Sequence, residues 1–230
     1  MKDLKDIVII TQARMNSERV KKKMLHTIGS TTLWNQACLK LRLLKGLGFN
    51  VLLGAGDDIL VKIAKEEYSD IPLFIRSQEG CNVDVGLDKI YEWWDKTNYK
   101  YVVLFNPCLI YLKVETIAGF INAYQQSDAE GMFGVFKKKD YFWDRNKRLQ
   151  TPWPPNCDIL NTKAVEETYQ AAHALYGSRM DIVGDGKWMG DFTIPNEIEL
   201  FEMDEQECID IDTPQDLELV QTLWKFGWSP

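Results

Sequence analysis

A cluster of cationic side chains follows the first hydrophobic segment of the sequence. Residues 14–23, here called the cationic loop, carry five cations and a single acid, Glu18, although the protein has a formal net charge of −7. The segment before this loop is rich in β-branched residues, which is typical of a strand. Loops that follow the strands of a parallel sheet are common ligand sites. A cationic loop at such a place is suited to binding phosphate groups.

The individual side chains of this loop suggest different roles. Arg14 can hold a phosphate through two parallel hydrogen bonds, whereas Lys23 acts as a mobile point charge. Backbone N–H groups at the start of a following helix can add further contacts. The loop contains neither the Gly-x-x-x-x-Gly-Lys-Ser/Thr pattern nor Gly-x-Gly-x-x-Gly. On charge alone, a solvated basic turn explains it equally well.

Two carboxylates near the C-terminus form a second candidate site. Asp210 and Asp212 are two residues apart, so in an extended segment they project from the same face. Such a pair can hold Mg²⁺ while phosphate oxygens and water complete the coordination. The alternative is an exposed acidic pair, with Asp216 only capping the next helix.

The sequence between these two sites alternates between strand and helix patterns. It predicts an opening strand at Ile7, strands at 50–54, 72–76, 101–106 and 131–136, and helices at 33–47, 57–68, 83–96 and 115–126. This alternation is typical of βαβ units and a mostly parallel sheet. We therefore expect one α/β domain over residues 1–230, with a three-layer, Rossmann-like architecture.

The regular alternation stops after residue 136. Charged, aromatic and proline residues at 137–160 predict a hairpin or loop excursion, which would be a subunit contact or a substrate lid rather than a nucleic-acid surface. Beyond it we expect strands at 157–162 and 192–195, extended segments at 199–203 and 208–212, and helices at 163–176 and 214–224.

Composition narrows the possible partners. The 230 residues are 45% hydrophobic and can bury a large core, and an acidic chain without a long basic tract is not expected to bind nucleic acid or a membrane surface. Five cysteines without a Cys-x-x-Cys pair suit reduced thiols. Neither His26 nor His173 has zinc-ligand spacing around it. With no signal peptide and no long apolar run, we expect a cytoplasmic protein.

The sequence motifs of both sites resemble those of one group of enzymes. Gln12-Ala-Arg-Met-Asn-Ser-Glu-Arg-Val-Lys-Lys-Lys-Met-Leu25 is similar to the Gln-Ala-Arg-Met-Gly-Ser-x-Arg-Leu-Pro-Gly-Lys-x-Leu loop of spore-coat-polysaccharide-type cytidylyltransferases and to the corresponding loop of acylneuraminate (CMP-sialic acid) and CMP-Kdo synthetases. Asp210-Ile-Asp-Thr213 looks like their Asp-Ile-Asp-Thr signature. In this sequence, Asn16 stands where Gly is frequent, and Lys21-Lys22 replaces Pro-Gly.

The resemblance implies a nucleotidyltransferase fold and a CTP-dependent enzyme that uses Mg²⁺. It places CTP on Thr11, Gln12, Ala13, Arg14, Ser17, Arg19 and Lys23, with cytosine contacted by the backbone near Ile10 and Thr11. It also implies that Arg14, Lys23 and Asp212 serve catalysis, and that Asp210 and Asp212 bind the metal.

The acceptor side matches less well. Asn106 can stand for a Gln of the sialic acid enzymes, and Asn156 falls where relatives carry an acceptor-side strand. The resemblance implies a small acidic acceptor, which would be a sialic-acid-like or other nonulosonic or ulosonic sugar acid. We also expect a homodimer. Two alternatives are a phosphonate or phosphorylated non-sugar acceptor, and a nucleotide-binding subunit without activity.

Overall fold

The fold is built on one seven-stranded sheet with helices on both faces. The computed structural model describes residues 1–82 and 84–228. Its strands are β1 (Ile7–Ala13), β2 (Thr27–Ile28), β3 (Thr31–Thr32), β4 (Asn50–Ala55), β5 (Leu73–Ile75), β6 (Tyr101–Phe105), β7 (Gly131–Lys138), β8 (Thr168–Arg179) and β9 (Ile198–Glu202). Its helices are α1 (Leu33–Gly46), α2 (Asp58–Glu67), α3 (Leu87–Ile90), α4 (Val114–Gln126), α5 (Met180–Gly184) and α6 (Pro214–Lys225).

The strand order confirms the predicted α/β architecture. The large sheet runs β5-β4-β1-β6-β8-β7-β9, and β2 and β3 form a separate two-stranded pair. All neighbours in the large sheet are parallel except β8, which is antiparallel to both β6 and β7. The carboxyl ends of β1 and β6 therefore meet at one edge of the sheet, where ligands of such folds bind.

The two faces of the sheet pack against different helices. Along β1, Ile7 and Ile9 belong to the large core formed with α1, α2 and α4, whereas Val8 and Ile10 pack with Trp93 on the opposite face. A strand buried on both sides is a continuous apolar run without polar alternation. This explains why the apolar runs in the sequence predict the strands β1 and β6. No helix in the described part of the chain is long and apolar enough to cross a bilayer.

The helix predicted at 163–176 is wrong. A short 3₁₀ turn at Thr162–Ala164 precedes β8, which lies between β6 and β7. Ala171, Ala172 and Ala174 favour a helix locally, but pairing on both sides outweighs this weak preference. His173 adopts a left-handed backbone (φ 50°), and the register with β7 shifts there. Such an irregularity breaks the period-two pattern by which a strand is recognised.

Other predicted elements are shorter or absent. Residues 157–162, 192–195 and 208–212 are not strands, and the exposed Ile159 and Leu160 pair with no strand in the described part of the chain. The helix predicted at 83–96 is regular only over Leu87–Ile90, and its first residue lies outside the described residues. The expected excursion is a loop with one antiparallel bridge, between Trp143 and Leu149.

A buried lysine fixes the segment that follows β6. Lys40 on α1 is 5% exposed, and its ammonium donates hydrogen bonds to the carbonyl oxygens of Leu109 (3.0 Å) and Ile110 (2.7 Å). Burial lowers the pKa of Lys40 to about 7, with Glu207 opposing the shift. Lys40 thus joins the helical layer to the segment that forms one wall of the cleft described below.

We expect the stabilising effect of Lys40 to depend on pH. The unfolded chain binds its lysine proton up to a pKa of about 10.4, and the folded chain loses it near 7, so stability rises with pH between these values. Denaturant unfolding of wild type and Lys40→Met at pH 6.5 and pH 9 measures how the free energy of unfolding of each protein changes with pH. The difference in unfolding free energy should move in favour of wild type by up to roughly 1.4 kcal/mol per pH unit. Lys45→Met, an exposed position on the same helix, should show no such change. A difference between wild type and Lys40→Met that is independent of pH would contradict the assignment.

Candidate functional site

A cleft lies at the carboxyl edge of β1 and β6. It has a volume of about 440 Å³ and is formed by the cationic loop, the residues after β6 and the segment before α6. Its lining residues are Gln12, Ala13, Arg14, Ser17, Glu18, Arg19, Lys23, Met24, Asn106, Pro107, Cys108 and Asp212. The fold therefore brings together most of the residues that the sequence suggested separately.

The two ends of the chain meet at Asp212. Lys23 Nζ lies 3.2 Å from one carboxylate oxygen of Asp212, and Arg19 Nη2 lies 3.0 Å from the other. The Lys23 side chain is only 13% exposed, whereas that of Arg19 is 64% exposed. Both cations are thus placed in the cleft, where they can become partners of an anion with several charges.

Lys23 stays charged although it is largely buried. Burial disfavours its ammonium, but Cys108, Asp210 and Asp212 together outweigh that cost and raise the pKa of Lys23. The ammonium is therefore a fixed positive charge at neutral pH. A fixed charge of this kind stabilises negative charge that develops in a reaction without reorganisation at the moment of reaction.

Asp210 is buried beside this pair and only half satisfied. Its Oδ2 accepts a hydrogen bond from Asn106 Nδ2 (3.0 Å), and its Oδ1 is buried with no partner among the described residues. Burial, and then the negative charge of Asp212, raise the pKa of Asp210. A buried carboxylate oxygen without a partner is costly. A hard cation is one ligand that would satisfy it.

Asn106 acts as a support for Asp210. Its amide nitrogen donates to the carbonyl oxygen of His173 (3.1 Å) as well as to Asp210, and its amide oxygen accepts from the backbone N–H of Cys108 (2.9 Å). Both amide hydrogens are therefore used within the protein. Asn106, which was predicted to bind the acceptor, lies at the wall of the cleft and there also positions Asp210.

The cationic loop is held in place by contacts on its far side. Arg14 Nη1 donates to the carbonyl oxygen of Cys81 (2.8 Å), and the N–H of Met15 donates to Asp57 (2.8 Å). Lys22, which stands at the position of Gly in the loop that this sequence resembles, adopts a left-handed backbone with φ 55°. Such a conformation is unfavourable for Lys. Asn16, the other departure from that loop, is not among the residues with positive φ.

Three residues that were predicted to contact a ligand, Ile10, Thr11 and Asn156, do not line the cleft. Thr11 is fully buried and its hydroxyl donates to the carbonyl oxygen of Phe105 (3.0 Å), so its side chain does not face the cleft. Ile10 and Thr11, whose backbone was expected to contact cytosine, pair with Leu52 and Leu53 of β4 inside the sheet. Asn156 lies on the exposed excursion and does not line the cleft.

Two further pockets share residues with the cleft or with the cationic loop. One, of about 250 Å³, is here called the side pocket and is lined by Gln12, Tyr91, Leu104, Phe105, Asn106, Pro107 and Tyr176. The other, of about 500 Å³, lies behind the cationic loop and is lined by Asn16, Gly56, Asp57, Asp58, Gln78, Cys81 and Asn82. Sequence reasoning missed Tyr91 and Tyr176, because nothing in their local pattern separates them from core aromatics.

Comparison with known proteins gives matches in structure only. No protein-family model matches the sequence, and no curated protein matches it significantly. The structure of CMP:2-keto-3-deoxy-manno-octonic acid synthetase complexed with CTP matches with a TM-score of 0.69 and 14% identity, covering 97% of this chain and 100% of that one. The 4-diphosphocytidyl-2C-methyl-D-erythritol synthase from Anaerococcus prevotii matches at 0.66 with 13% identity, over 97% and 100% of the two chains. A cytidylyltransferase from Leptospira borgpetersenii matches at 0.63 with 14% identity, over 97% and 88%.

These matches show the fold. The chain has the α/β nucleotidyltransferase fold of solved cytidylyltransferases over nearly its whole described length. The resemblance to CMP-Kdo synthetases, expected from two short motifs, is thereby confirmed at the level of the fold.

Proposed function

We propose that the protein is a CTP-dependent cytidylyltransferase. An acceptor oxygen attacks the α-phosphorus of CTP, the bond to the bridging oxygen breaks, and pyrophosphate leaves. The observation that carries the proposal is the convergence of Arg19 and Lys23 on Asp212 in the cleft. The fold shared with solved cytidylyltransferases, one of them complexed with CTP, supports it.

The cations of the cleft provide the charge that this reaction needs. Phosphoryl and nucleotidyl transfer depend mostly on positioning and charge neutralisation. In the proposed complex Arg14, Arg19 and Lys23 hold the β- and γ-phosphates, and Ser17 lines the same wall. Because a triphosphate carries more charge than one carboxylate, it can replace Asp212 as the partner of the two cations.

The two aspartates fit a magnesium ion. Asp210 offers an oxygen without a partner, and Asp212 is freed when its cations turn to the triphosphate. No group of three or more His, Cys, Asp or Glu side chains in the described residues is placed to hold a metal, so the nucleotide and water would supply the other ligands. Mg²⁺ held there would neutralise negative charge on the α-phosphate.

The pocket behind the cationic loop is the proposed site of cytosine. It adjoins the loop through Asn16, and Gln78 and Asn82 offer neutral amide groups that can donate and accept hydrogen bonds. The hydrogen bond from Arg14 to Cys81 links this pocket to the phosphate side. A base in this pocket and phosphates in the cleft would lie on either side of the loop.

The acceptor and the assembly are finer parts of the proposal. The sequence resemblance favours a sugar acid, and a phosphonate or a phosphorylated small molecule is the alternative acceptor. A homodimer through the excursion, where Trp143 and Trp153 are 53% and 47% exposed, and a cytoplasmic location also belong to the proposal.

Thermal denaturation with nucleotides tests CTP binding. With Mg²⁺ present, CTP should raise the melting temperature more than ATP or GTP, and the stabilisation should grow as RT ln(1 + [L]/Kd). Equal increases in melting temperature with all three nucleotides would contradict the proposed specificity for cytidine. A protein that binds CTP but releases no pyrophosphate with a broad set of acceptors would favour the alternative of a nucleotide-binding subunit without activity.

A further inference from the structure

The helix α6 begins next to Asp212 and is fixed against one wall of the cleft. Asp216 in its first turn accepts hydrogen bonds through Oδ2 from the backbone N–H groups of Asp212 (3.0 Å) and Thr213 (2.7 Å). The first turn of α6 therefore sets the position of Asp212. Tyr111, in the segment that follows β6, is 4% exposed, and its hydroxyl donates to the carbonyl oxygen of Val220 on α6 (3.0 Å). This hydrogen bond joins α6 to the segment that forms that wall.

The outer part of α6 contacts the hairpin that follows the cationic loop. This hairpin, here called the small hairpin, consists of β2, β3 and their turn, residues 27–32. Gln221 Nε2 donates to the carbonyl oxygen of Thr27 (2.9 Å). The indole of Trp224 covers Gly29 so closely that a Cβ at Gly29 would lie 1.8 Å from the indole Nε1. Gly29 also has a left-handed backbone (φ 59°), which glycine adopts without strain.

The small hairpin is joined to Lys23 by a single 3₁₀ turn. The turn covers Lys23–Leu25, and the N–H of His26 donates to the carbonyl oxygen of Lys23 (3.2 Å). Met24 in this turn is 2% exposed, and Ile28 in the small hairpin is fully buried. Closely packed side chains of this kind transmit a displacement to their neighbours. We therefore expect that a shift of the small hairpin moves Lys23.

The proposed binding of CTP gives the contact between α6 and the small hairpin a role. In the structure, Lys23 Nζ lies 3.2 Å from Asp212, and this ion pair itself holds the two side chains together. When a triphosphate becomes the partner of Lys23, the ion pair no longer does so. The contact with α6 is made by a neutral amide, a carbonyl oxygen and an indole ring, so an exchange of charged partners leaves it intact.

We propose that Gln221 and Trp224 are positioning residues for the nucleotide site, an inference that rests on the proposed binding of CTP. They hold the small hairpin against α6 and thereby keep Lys23 opposite Asp212 while the triphosphate is bound. Neither is among the described residues that line the cleft. A misplacement of about 1 Å caused by a change far from the reacting atoms can cost about 100-fold in rate, so a contact outside the cleft can control the site.

Calorimetric titration of CTP with Mg²⁺ into Gln221→Met tests the proposal. Methionine keeps the length of the side chain and removes the amide donor, and one net hydrogen bond corresponds to about 5-fold in an equilibrium constant. We expect the Kd of CTP to rise about 5-fold. Gln215→Met is the matched control, because Gln215 is an exposed glutamine on the same helix. The control should change the Kd by less than about 2-fold.

A double-mutant cycle with Lys23→Met distinguishes positioning from general destabilisation. A residue that acts only through Lys23 has nothing left to position once the ammonium is removed, so the two effects are not additive. In the Lys23→Met background, Gln221→Met should therefore change the Kd of CTP by less than about 2-fold. A rise of about 5-fold that persists in this background would overturn the proposal. A Kd close to that of wild type in Gln221→Met alone would overturn it as well.

Gly29→Ala disturbs the same contact from the side of the small hairpin. The added methyl group would overlap with the indole of Trp224, so the small hairpin has to move. Strain of this size corresponds to a rise in the Kd of CTP of about 10-fold, which should again be seen only while Lys23 is present. A folded Gly29→Ala variant with unchanged affinity would contradict the inference. Absence of CTP binding in the wild-type protein would instead overturn the proposed function.

Discussion

Replacing Asp212 with asparagine should lower pyrophosphate release about 100-fold or more while the fold is retained. The substitution keeps the size of the side chain and removes the charge that binds Lys23 and Arg19. It also removes one of the two carboxylates proposed to hold Mg²⁺. Losses of this size are typical when one electrostatic element of an active site is removed.

The fold should tolerate this change because Asp212 has no structural role in the helix that follows. The capping box of α6 is formed by Thr213 and Asp216, and the Asp212 side chain is 40% exposed. Steady-state kinetics and the melting temperature of Asp212→Asn would be compared with those of Asp70→Asn. Asp70 pairs with Arg42 (2.6 Å) at similar exposure, remote in sequence from the cleft residues. Turnover close to wild type in Asp212→Asn would exclude Asp212 from catalysis.

Replacing Lys23 with methionine should weaken CTP binding at least about 10-fold and reduce turnover further. Methionine fills the space of the lysine stem, while the charge that is held between Asp212 and Asp210 is lost. Interactions with a charged group that is largely buried are worth more than those at the surface. The affinity for CTP, measured by calorimetry, and the rate of pyrophosphate release would both report the loss.

The same experiment decides between a specific site and a solvated basic turn. Lys21 lies in the same loop, carries the same charge and is exposed, so Lys21→Met is the matched control. A specific site predicts a change in CTP affinity of less than about 3-fold for Lys21→Met, since exposed charges contribute little. Equal effects of the two substitutions would mean that the loop acts only through its total charge.

The central elements of the fold were predictable because buried strands and helices require recognisable patterns of apolar residues in the sequence. β1, β4, β6 and β7 are short apolar runs, and α1, α2, α4 and α6 repeat their apolar residues at helical spacing. The structure confirms these elements, with boundaries that differ by a few residues. Thr213 and Pro214 likewise marked the start of α6, because capping is a local interaction.

β8 shows where such reasoning fails. Its alanine-rich sequence favours a helix, yet the segment fills the space between β6 and β7, where both edges need a hydrogen-bonding partner. The free energy of pairing two strands exceeds the small difference in helix propensity. The free energy of pairing depends on residues that are distant in the chain, so a local sequence pattern cannot predict it.

The sequence by itself determined the chemistry that the cleft offers: a cationic loop after β1, and two carboxylates about 190 residues later. Only the tertiary structure decided how they combine, with Asp212 held by Arg19 and Lys23, Asp210 supported by Asn106, and Tyr91 and Tyr176 forming the side pocket. The type of each residue is known directly from the sequence. Contact between distant side chains depends instead on strand order and on the loops that join the strands. These follow from packing the whole chain at once, so they cannot be read from any one segment.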